Sequence, residues 1–261
     1  MTLWQAFFLG LIQGMTEFLP ISSSGHLALA QYFLGFEDLH HYILFNLICH
    51  LGTLTAIVYV FFPIIKKSLN LYQPPFWQVV VGTLPLFPLV FILKPIKSLF
   101  DHPQLLGPCF LISATLIFTS LYVRFPMEKR TERKWTDPFI IGVFQAIAIF
   151  PGISRSGATI SAARLLGWSK ANAIHFSFLL AIPAILGGAI LEGWQAWQSP
   201  KEDVLSLDPS VFIVGFTTSS IVGSLCLMGL IRLIDDDKWG YFGWYCLWLG
   251  LAATLYFNFF V

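Results

Sequence analysis

Eight apolar tracts follow one another along this chain, separated by short polar or proline-bearing connections. They cover residues 3–19, 43–62, 77–93, 105–123, 138–150, 173–191, 210–231 and 240–260. A helix that crosses a bilayer needs about 20 apolar residues, so several tracts are long enough and a few are too short. Of all residues, 56% are hydrophobic and 11% are charged, against about 25% charged in soluble domains. The pattern predicts an all-α polytopic membrane protein with one integral membrane domain over residues 1–261.

The rest of the composition excludes several classes of protein. The first tract carries Gln13 and Glu17 and lacks both a basic start and a small-residue cleavage site, so we expect it to stay in the mature protein. The four cysteines stand singly inside apolar tracts, without metal-ligand spacing. The net charge of +1 and the lack of a long basic run argue against a nucleic-acid partner, which leaves membrane lipids as the surroundings.

The second half of the chain repeats the first at a distance of 132 residues, without a gap. The residues that align with their counterparts under this shift are Gly10, Gln13, Phe18, Ile21, Ser22, Ser24, Gly25, Ala30, Leu34 and Gly35. Chance similarity between apolar tracts would explain a matched Leu or Phe, but not an aligned Ser-x-Ser-Gly. Because internal repeats are a common origin of transport-type membrane folds, we expect two repeats, at about residues 1–125 and 135–261.

Each repeat begins with two segments that are too short to cross the membrane, joined by a loop rich in Ser and Gly. We expect each pair to form a re-entrant helical hairpin, whose irregular backbone must line a cavity or be buried in protein. Three transmembrane helices are predicted after each hairpin, at 43–62, 77–93 and 105–123 and at 173–191, 210–231 and 240–260. Because three is an odd number, the two repeats are predicted to have inverted topology.

Lys and Arg residues are unevenly distributed under this topology. Most of them fall on the side that includes residues 124–137, and few fall on the side that includes Lys94, Lys97 and Lys201. Cytoplasmic loops are enriched in Lys and Arg, so residues 124–137 are predicted to be cytoplasmic. Residues 37–41 and the entrance to the first hairpin are then predicted to lie on the outer side.

Glu17, His26 and Arg155 are the ionisable residues most closely tied to the two loops. A charge within the bilayer costs about 2.5 kcal/mol or more, so it is retained where it is paired, hydrated or functional. The loop at 21–26 brings hydroxyls, backbone amides and an imidazole to a helix start, and the loop at 151–159 brings a guanidinium between hydroxyls. Helix N-termini and Arg side chains bind phosphate, so together the loops predict an oxyanion site with acid–base groups.

Structural roles compete with this interpretation. Small polar residues in membrane helices often serve only close packing, and this is an equally weighted alternative for each of the loop residues Ser22, Ser24 and Ser156. In another structural interpretation, Glu17 and Arg155 form an ion pair that has no role in binding or catalysis. His50 and His175 stand alone on apolar segments and are interpreted as core residues rather than ligands. The acidic run at 235–237 is interpreted as a solvated loop.

Two runs of the sequence resemble family signatures. Residues 13–26, Gln-Gly-Met-Thr-Glu-Phe-Leu-Pro-Ile-Ser-Ser-Ser-Gly-His, are similar to the first signature of the bacterial undecaprenyl-diphosphate phosphatase family, also called the bacitracin-resistance protein family. Residues 151–159, Pro-Gly-Ile-Ser-Arg-Ser-Gly-Ala-Thr, are similar to the second signature, and residues 176–183 also fit the family. The length, the order of the spans and their spacing agree over nearly the entire chain.

The resemblance implies two inverted repeats and a phosphatase that converts the polyprenyl diphosphate lipid undecaprenyl diphosphate to undecaprenyl phosphate and inorganic phosphate. This reaction belongs to recycling of the cell-wall lipid carrier and confers bacitracin resistance. The implied location is the bacterial cytoplasmic membrane, with the active site open to the periplasmic side. A homodimer and a divalent cation, Mg²⁺ or Ca²⁺, held through Glu17 as metal ligand, are also implied.

The family's functional residues carry over by motif. The catalytic residues are Glu17, Ser23, His26 and Arg155. The substrate-binding residues are Gln13, Ser22, Ser24, Gly25, Ser154, Ser156, Gly157 and Thr159. Three positions depart from the commoner pattern, because Gln13, Asn46 and His175 stand where acids are frequent in the family. Fewer carboxylates therefore remain to hold a hard cation, which prefers oxygen ligands.

The predicted mechanism is mainly electrostatic. Arg155 and loop amides neutralise charge on the transferred phosphoryl group while Ser23 or a bound water attacks. Glu17 binds the cation, positions the nucleophile, or both, and His26 transfers a proton.

Three other interpretations compete with this assignment. A polyprenyl-phosphate flippase or transporter of the same architecture needs the anion site but no nucleophile. A second class of membrane lipid phosphatase also uses Ser-Gly-His and Ser-Arg motifs, but it expects a His after the Ser-Arg pair, and residues 156–168 contain none. A non-catalytic scaffold gives no reason for Glu17, His26 and Arg155 to stand on paired loops.

Overall fold

The computed structural model describes residues 1–36, 42–68, 74–92, 102–123, 134–198, 208–233 and 238–260, and the regular structure within these ranges is entirely helical. The α-helices are α1 (Leu3–Thr16), α2 (Ser23–Phe33), α3 (Ile43–Ser68), α4 (Pro74–Thr83), α5 (Leu106–Tyr122), α6 (Thr136–Ile147), α7 (Arg155–Leu165), α8 (Lys170–Gln198), α9 (Pro209–Leu233) and α10 (Trp239–Phe259). A 3₁₀ segment, Leu84–Ile92, continues α4, and a 3₁₀ turn, Pro103–Leu105, precedes α5.

Several of these helices have the dimensions of membrane spans. Within the described ranges, four are long and apolar enough to cross a bilayer by length and composition, namely Ile43–Lys66, Pro103–Tyr122, Lys170–Trp194 and Pro209–Arg232. Helix α10 has 21 residues, which is also long enough to cross a bilayer, and it carries several Trp and Tyr residues. The prediction of an all-helical polytopic membrane protein is confirmed.

One predicted span has a different form from the one expected. The sequence predicts a full helix over 77–93, but the α-helix ends at Thr83 and a 3₁₀ segment follows. Pro85 and Pro88 lack the N–H groups that would continue the α-helical ladder, and their rings clash with the preceding turn. The prediction of a regular helix for the second of the three spans in the first half is therefore wrong.

The 132-residue repeat is visible in the local structure. Helices α2 and α7 are both 11 residues long, and their first residues are 132 positions apart. The hydroxyl of Ser22 accepts a hydrogen bond from the backbone N–H three residues later at 3.3 Å, and Ser154 does the same at 3.0 Å. Gly35 and Gly167 follow the two helices with φ of +73° and +84°, a left-handed conformation that glycine adopts without strain. Equivalent residues thus start and end equivalent helices.

The first helix of each repeat packs against the other half of the chain. Helix α1 lies against α9, and α6 lies against α4 and its 3₁₀ continuation. A Cβ at Gly10 would lie 2.9 Å from the carbonyl oxygen of Gly215, and a Cβ at Gly142, the counterpart of Gly10, would lie 2.2 Å from the carbonyl oxygen of Gly82. Small residues at both crossings let the backbones approach closely.

The largest hydrophobic core joins the two loop regions. It contains Phe18 and Ile21 from the first and Ile160 from the second, together with Phe178 of α8. The rings of Phe18 and Phe178 meet edge to face with centroids 5.7 Å apart. Apolar packing on both sides therefore holds the polar loops at the centre of the helix assembly.

Candidate active site

The two Ser- and Gly-rich loops are in direct contact. Ser22 has a φ of 69°, a left-handed conformation that costs a non-glycine residue about 1–3 kcal/mol, and its hydroxyl accepts a hydrogen bond from Gly152 N at 3.1 Å. A Cβ at Gly25 would lie 2.8 Å from the Cα of Gly152, so this approach requires glycine. Ser156 Oγ donates to the carbonyl of Leu19 at 3.0 Å. The predicted proximity of the two loops is confirmed.

Glu17 is the centre of a polar network between the loops. Its side chain is buried, and its Oε1 accepts from the Arg155 guanidinium. Its Oε2 accepts from Ser23 Oγ at 2.5 Å and from Gln13 Nε2 at 2.9 Å. Glu17 follows the last turn of α1, Ser23 begins α2 and Arg155 begins α7. The structure therefore brings together three of the four predicted catalytic residues.

His50 belongs to the same network, which corrects its interpretation as a core residue. Its Nδ1 lies 3.3 Å from Glu17 Oε2 and 2.8 Å from Gln13 Nε2. The Gln13 amide nitrogen also lies 3.5 Å from Thr53 Oγ1. The sequence contains little evidence for this role of His50, because a single polar residue on an apolar helix usually finds its hydrogen-bond partners within the packed core. His175, in contrast, packs edge to face on a phenylalanine ring at 5.7 Å, as a core residue would.

His26 makes its contacts elsewhere. Its Nδ1 lies 2.6 Å from the carbonyl oxygen of Ser22, and its Nε2 lies 2.7 Å from Tyr245 Oη. A carbonyl can only accept, so Nδ1 carries the proton and Nε2 accepts from the Tyr245 hydroxyl. Within the described part of the chain, no hydrogen bond joins His26 to Glu17 or Ser23. The proton-transfer role of His26 stays a prediction.

Tyr245 is a further residue that the sequence did not single out. It stacks on His26 with an interplanar angle of 10° and ring centroids 5.6 Å apart. The two residues are separated by 219 positions, and Tyr245 lies on a helix rich in aromatic residues. Only the tertiary fold identifies this tyrosine among its neighbours.

Most of the predicted substrate-binding groups already have partners inside the protein. The hydroxyls of Ser22 and Ser154 cap helices α2 and α7, because they accept hydrogen bonds from the backbone amides of Gly25 and Gly157. Thr159 is fully buried, with its Oγ1 2.6 Å from Ser177 Oγ. The hydroxyls of Ser23 and Ser24 are only half-buried. These contacts support the loops, and substrate binding by the remaining groups stays a prediction.

The surroundings of Glu17 offer few ligands to a divalent cation. Within the described ranges, no three His, Cys, Asp or Glu side chains come together to hold a metal ion. Mg²⁺ is usually held by one or two carboxylates together with waters and substrate phosphates, and the one carboxylate here is already bound by a guanidinium, a hydroxyl and an amide. The oxygen Oε1 of Gln13 is buried without a hydrogen-bond partner among the described residues, and the Mg²⁺ or Ca²⁺ ion stays a prediction.

The arrangement is suited to nucleophilic attack at the phosphorus atom of a bound phosphoryl group. A serine hydroxyl that donates to a carboxylate has its proton acceptor in place. The guanidinium beside the same carboxylate can bind phosphate oxygens with two parallel donors. A candidate nucleophile, a candidate base and a candidate anion-binding group thus lie within one hydrogen-bonded cluster, a constellation that suits phosphoryl transfer.

Comparison with known proteins agrees with this chemistry. Residues 6–252 match the family described as Bacitracin resistance protein BacA. An undecaprenyl-diphosphatase from Protochlamydia amoebophila is 60% identical over 258 residues, which cover 99% of this chain and 100% of that protein. Proteins with the same name from Treponema denticola and Alkaliphilus metalliredigens are 35% and 32% identical, and each alignment covers 98% of this chain and 98% and 99% of the relative.

Proposed function

The chain belongs to the bacitracin resistance protein BacA family, and from that premise we propose that it hydrolyses undecaprenyl diphosphate to undecaprenyl phosphate and inorganic phosphate in the membrane. The observation that carries this assignment at the level of the site is the Ser23 hydroxyl held at 2.5 Å from the Glu17 carboxylate, which is itself paired with Arg155. The protein is a multi-pass membrane enzyme of the hydrolase class.

The reaction begins when Ser23 Oγ attacks the terminal phosphorus of the lipid diphosphate. Glu17 takes the serine proton, the bond from phosphorus to the bridging oxygen breaks, and undecaprenyl phosphate leaves with the electron pair and receives the proton from Glu17. Water then attacks the phosphoserine, and Glu17, ionised again, takes a proton from the water and gives it to Ser23 Oγ as the bond from phosphorus to Oγ breaks and inorganic phosphate leaves. Arg155 neutralises charge on the phosphoryl oxygens in both steps, as the electrostatic demand of phosphoryl transfer requires.

For the architecture, we propose two inverted repeats, each consisting of a re-entrant hairpin followed by three membrane segments. The packing of the two short helices supports this architecture. Helix α1 packs on α9, the middle membrane segment of the second half, and α6 packs on α4 and its 3₁₀ continuation, the middle membrane segment of the first half. A two-fold relation between the halves reproduces this pattern. The length of α1, 14 residues, and of α6, 12 residues, is also too short for a span.

The proposed location is the bacterial cytoplasmic membrane, with the site open to the outer, periplasmic side. The distribution of Lys and Arg supports this orientation. The ranges 37–41 and 124–133, on which it depends most, lie outside the described residues. A homodimer stays a prediction, which the mass of the purified protein–detergent complex tests by light scattering.

A flippase of the same architecture is the competing function. It would need the Arg155 anion site but would have no use for a hydroxyl aligned on a carboxylate. The hydrogen bond from Ser23 to Glu17 therefore favours hydrolysis.

Phosphate release from undecaprenyl diphosphate by the purified protein tests the proposal. The parent protein is expected to turn over, Ser23→Ala is expected to lose activity by at least about 10³-fold, and Ser224→Ala is the matched control, because that hydroxyl bonds a carbonyl of its own helix. A parallel assay with chelator tests the predicted Mg²⁺ or Ca²⁺ requirement. No phosphate release by well-folded protein, with or without added cation, would contradict the assignment.

A further inference from the structure

A cavity of about 490 Å³ lies beside Arg155, lined by residues of both repeats. Its wall is mainly apolar and is formed by the 3₁₀ segment Leu84–Ile92, by α6 and by α8. Phe87 and Ile190, which line the cavity, are 62% and 72% exposed. The mouth is therefore rimmed by apolar side chains at the outer surface of the helix assembly, where a membrane protein meets lipid.

Gln145 lines this cavity with an amide that has no partner. The residue is 3% exposed, and neither its Oε1 nor its Nε2 has a hydrogen-bond partner in the described part of the chain. Buried amides are almost always satisfied, so an unpartnered one in a residue that lines a cavity indicates a ligand or water.

The repeat explains why Gln145 lacks a partner. Its counterpart in the first half, Gln13, donates to Glu17 at 2.9 Å. In the second half, the position that corresponds to Glu17 is occupied by Ile149, which also lines the cavity. The second repeat thus keeps the amide but replaces its acceptor with an apolar side chain, which leaves the amide available to a molecule that enters the cavity.

We propose that this cavity holds the lipid side of the substrate, with the first isoprene units of the chain against the apolar wall and the phosphate attached to the chain accepting a hydrogen bond from Gln145 Nε2. The proposal rests on the proposed function. Arg155 lines the cavity and also contacts Glu17, so it lies between the two phosphate positions. Glu192 lines the cavity too, which confines the phosphate to the side of Arg155 and Gln145.

Filling the cavity tests the position of the chain. A Cβ at Gly187 meets nothing within 4 Å, so Gly187→Leu places a side chain in free space along the cavity wall. We expect the kcat/KM for farnesyl diphosphate to fall about tenfold or more, while that for the much shorter dimethylallyl diphosphate changes less than about twofold. Gly193→Leu is the matched control, because a Cβ there also meets nothing within 4 Å but the residue does not line the cavity.

Substitution of Gln145 tests the phosphate contact. Gln145→Leu keeps the size of the side chain and removes the donor, so the kcat/KM for both diphosphates is expected to fall about 10- to 100-fold. Gln145→Glu should reduce it further, because a carboxylate repels the phosphate. The melting temperature of the Leu variant should equal or exceed that of the parent, since a buried amide without a partner is removed. A structural role for Gln145 would instead lower it.

Two results would overturn the proposal while the parent enzyme hydrolyses undecaprenyl diphosphate. One is an equal effect of Gly187→Leu on the long and the short diphosphate, or no effect on either. The other is full activity of Gln145→Leu, which would mean that the amide binds water only. If the parent releases no phosphate, the proposed function fails, and calorimetric binding of farnesyl phosphate to the parent and to Gly187→Leu decides the cavity proposal separately: weaker binding by the variant supports it, and equal or absent binding overturns it.

Discussion

The guanidinium of Arg155 donates to the Glu17 carboxylate. The geometry of the guanidinium determines how it can bind a phosphate. An arginine presents two parallel donors to phosphate oxygens, whereas a lysine ammonium is a point charge. We expect Arg155→Lys to lower kcat for phosphate release by about 10³ or more, despite the preserved charge. A lysine variant within about tenfold of the parent would show that charge alone suffices.

The ion pair of Glu17 and Arg155 allows a second test at the same scale. If Glu17 is the base for Ser23, Glu17→Gln should reduce phosphate release by at least about 10²-fold while the protein stays folded in detergent. The uncharged double variant Glu17→Gln/Arg155→Gln should remain inactive. A purely structural pair predicts the reverse, since each single change strands a buried charge and the double change removes both. Recovered activity in the double variant would therefore end the catalytic assignment.

Tyr245 provides a prediction for the histidine. Tyr245→Phe keeps the ring that stacks on His26 and removes the hydroxyl 2.7 Å from Nε2. Loss of this hydrogen bond is expected to reduce kcat/KM about five- to tenfold, measured by phosphate release. Tyr241→Phe on the same helix, a position that is 71% exposed, should leave the rate unchanged. Equal rates for both variants would show that the orientation of His26 does not depend on Tyr245.

The residues of the loops could be found from the sequence, but their neighbours could not. Glu17, Ser23 and Arg155 stand in a motif that occurs twice, and charges next to such loops are rare in membrane segments. His50 and Tyr245 are isolated polar residues on apolar helices, and nothing local distinguishes them from residues that face the core. Their contacts depend on how α3 and α10 pack against the first hairpin, which is a property of the tertiary structure.

Among the helices, the close contact of the two loops gives the clearest prediction. A Cβ at Gly25 would lie 2.6 Å from the ring of Phe110 and 2.8 Å from Gly152 Cα, so Gly25→Ala must push the loops apart. Overpacking of this kind costs about 1–3 kcal/mol, and we expect a lower melting temperature together with reduced activity. Gly229→Ala is the control, because a Cβ there meets nothing within 4 Å. An unchanged melting temperature for Gly25→Ala would contradict the tight apposition.

Helix positions followed from the apolar tracts because a bilayer imposes a minimum length on each span. The tract at 77–93 is not a continuous α-helix, because apolar content alone does not show where the α-helical hydrogen bonds end. Pro85 and Pro88 carry that information, but prolines also occur inside α3 and α8, where the helix continues past them. Whether a proline breaks or merely bends a membrane helix depends on the partners that satisfy the freed carbonyls.

For the whole molecule, the orientation in the membrane is the testable property. We expect a cysteine introduced at residue 38 to react with an impermeant reagent in intact cells, and one at residue 130 to react only after permeabilisation. The parent for this experiment has Cys49, Cys109, Cys226 and Cys246 replaced by alanine. Labelling at residue 130 but not at residue 38 in intact cells would reverse the proposed topology.

The packing of α1 on α9 also sets the order in which the protein can assemble. Gly10 meets Gly215, a partner that is made about 200 residues later. At a synthesis rate of about 5–20 residues per second, the first hairpin waits about 10–40 s before its main packing surface exists. The nascent amino-terminal half therefore reaches the bilayer with the Glu17 carboxylate still without its Arg155 partner, and the packing of the first hairpin can be completed only after the second half is inserted.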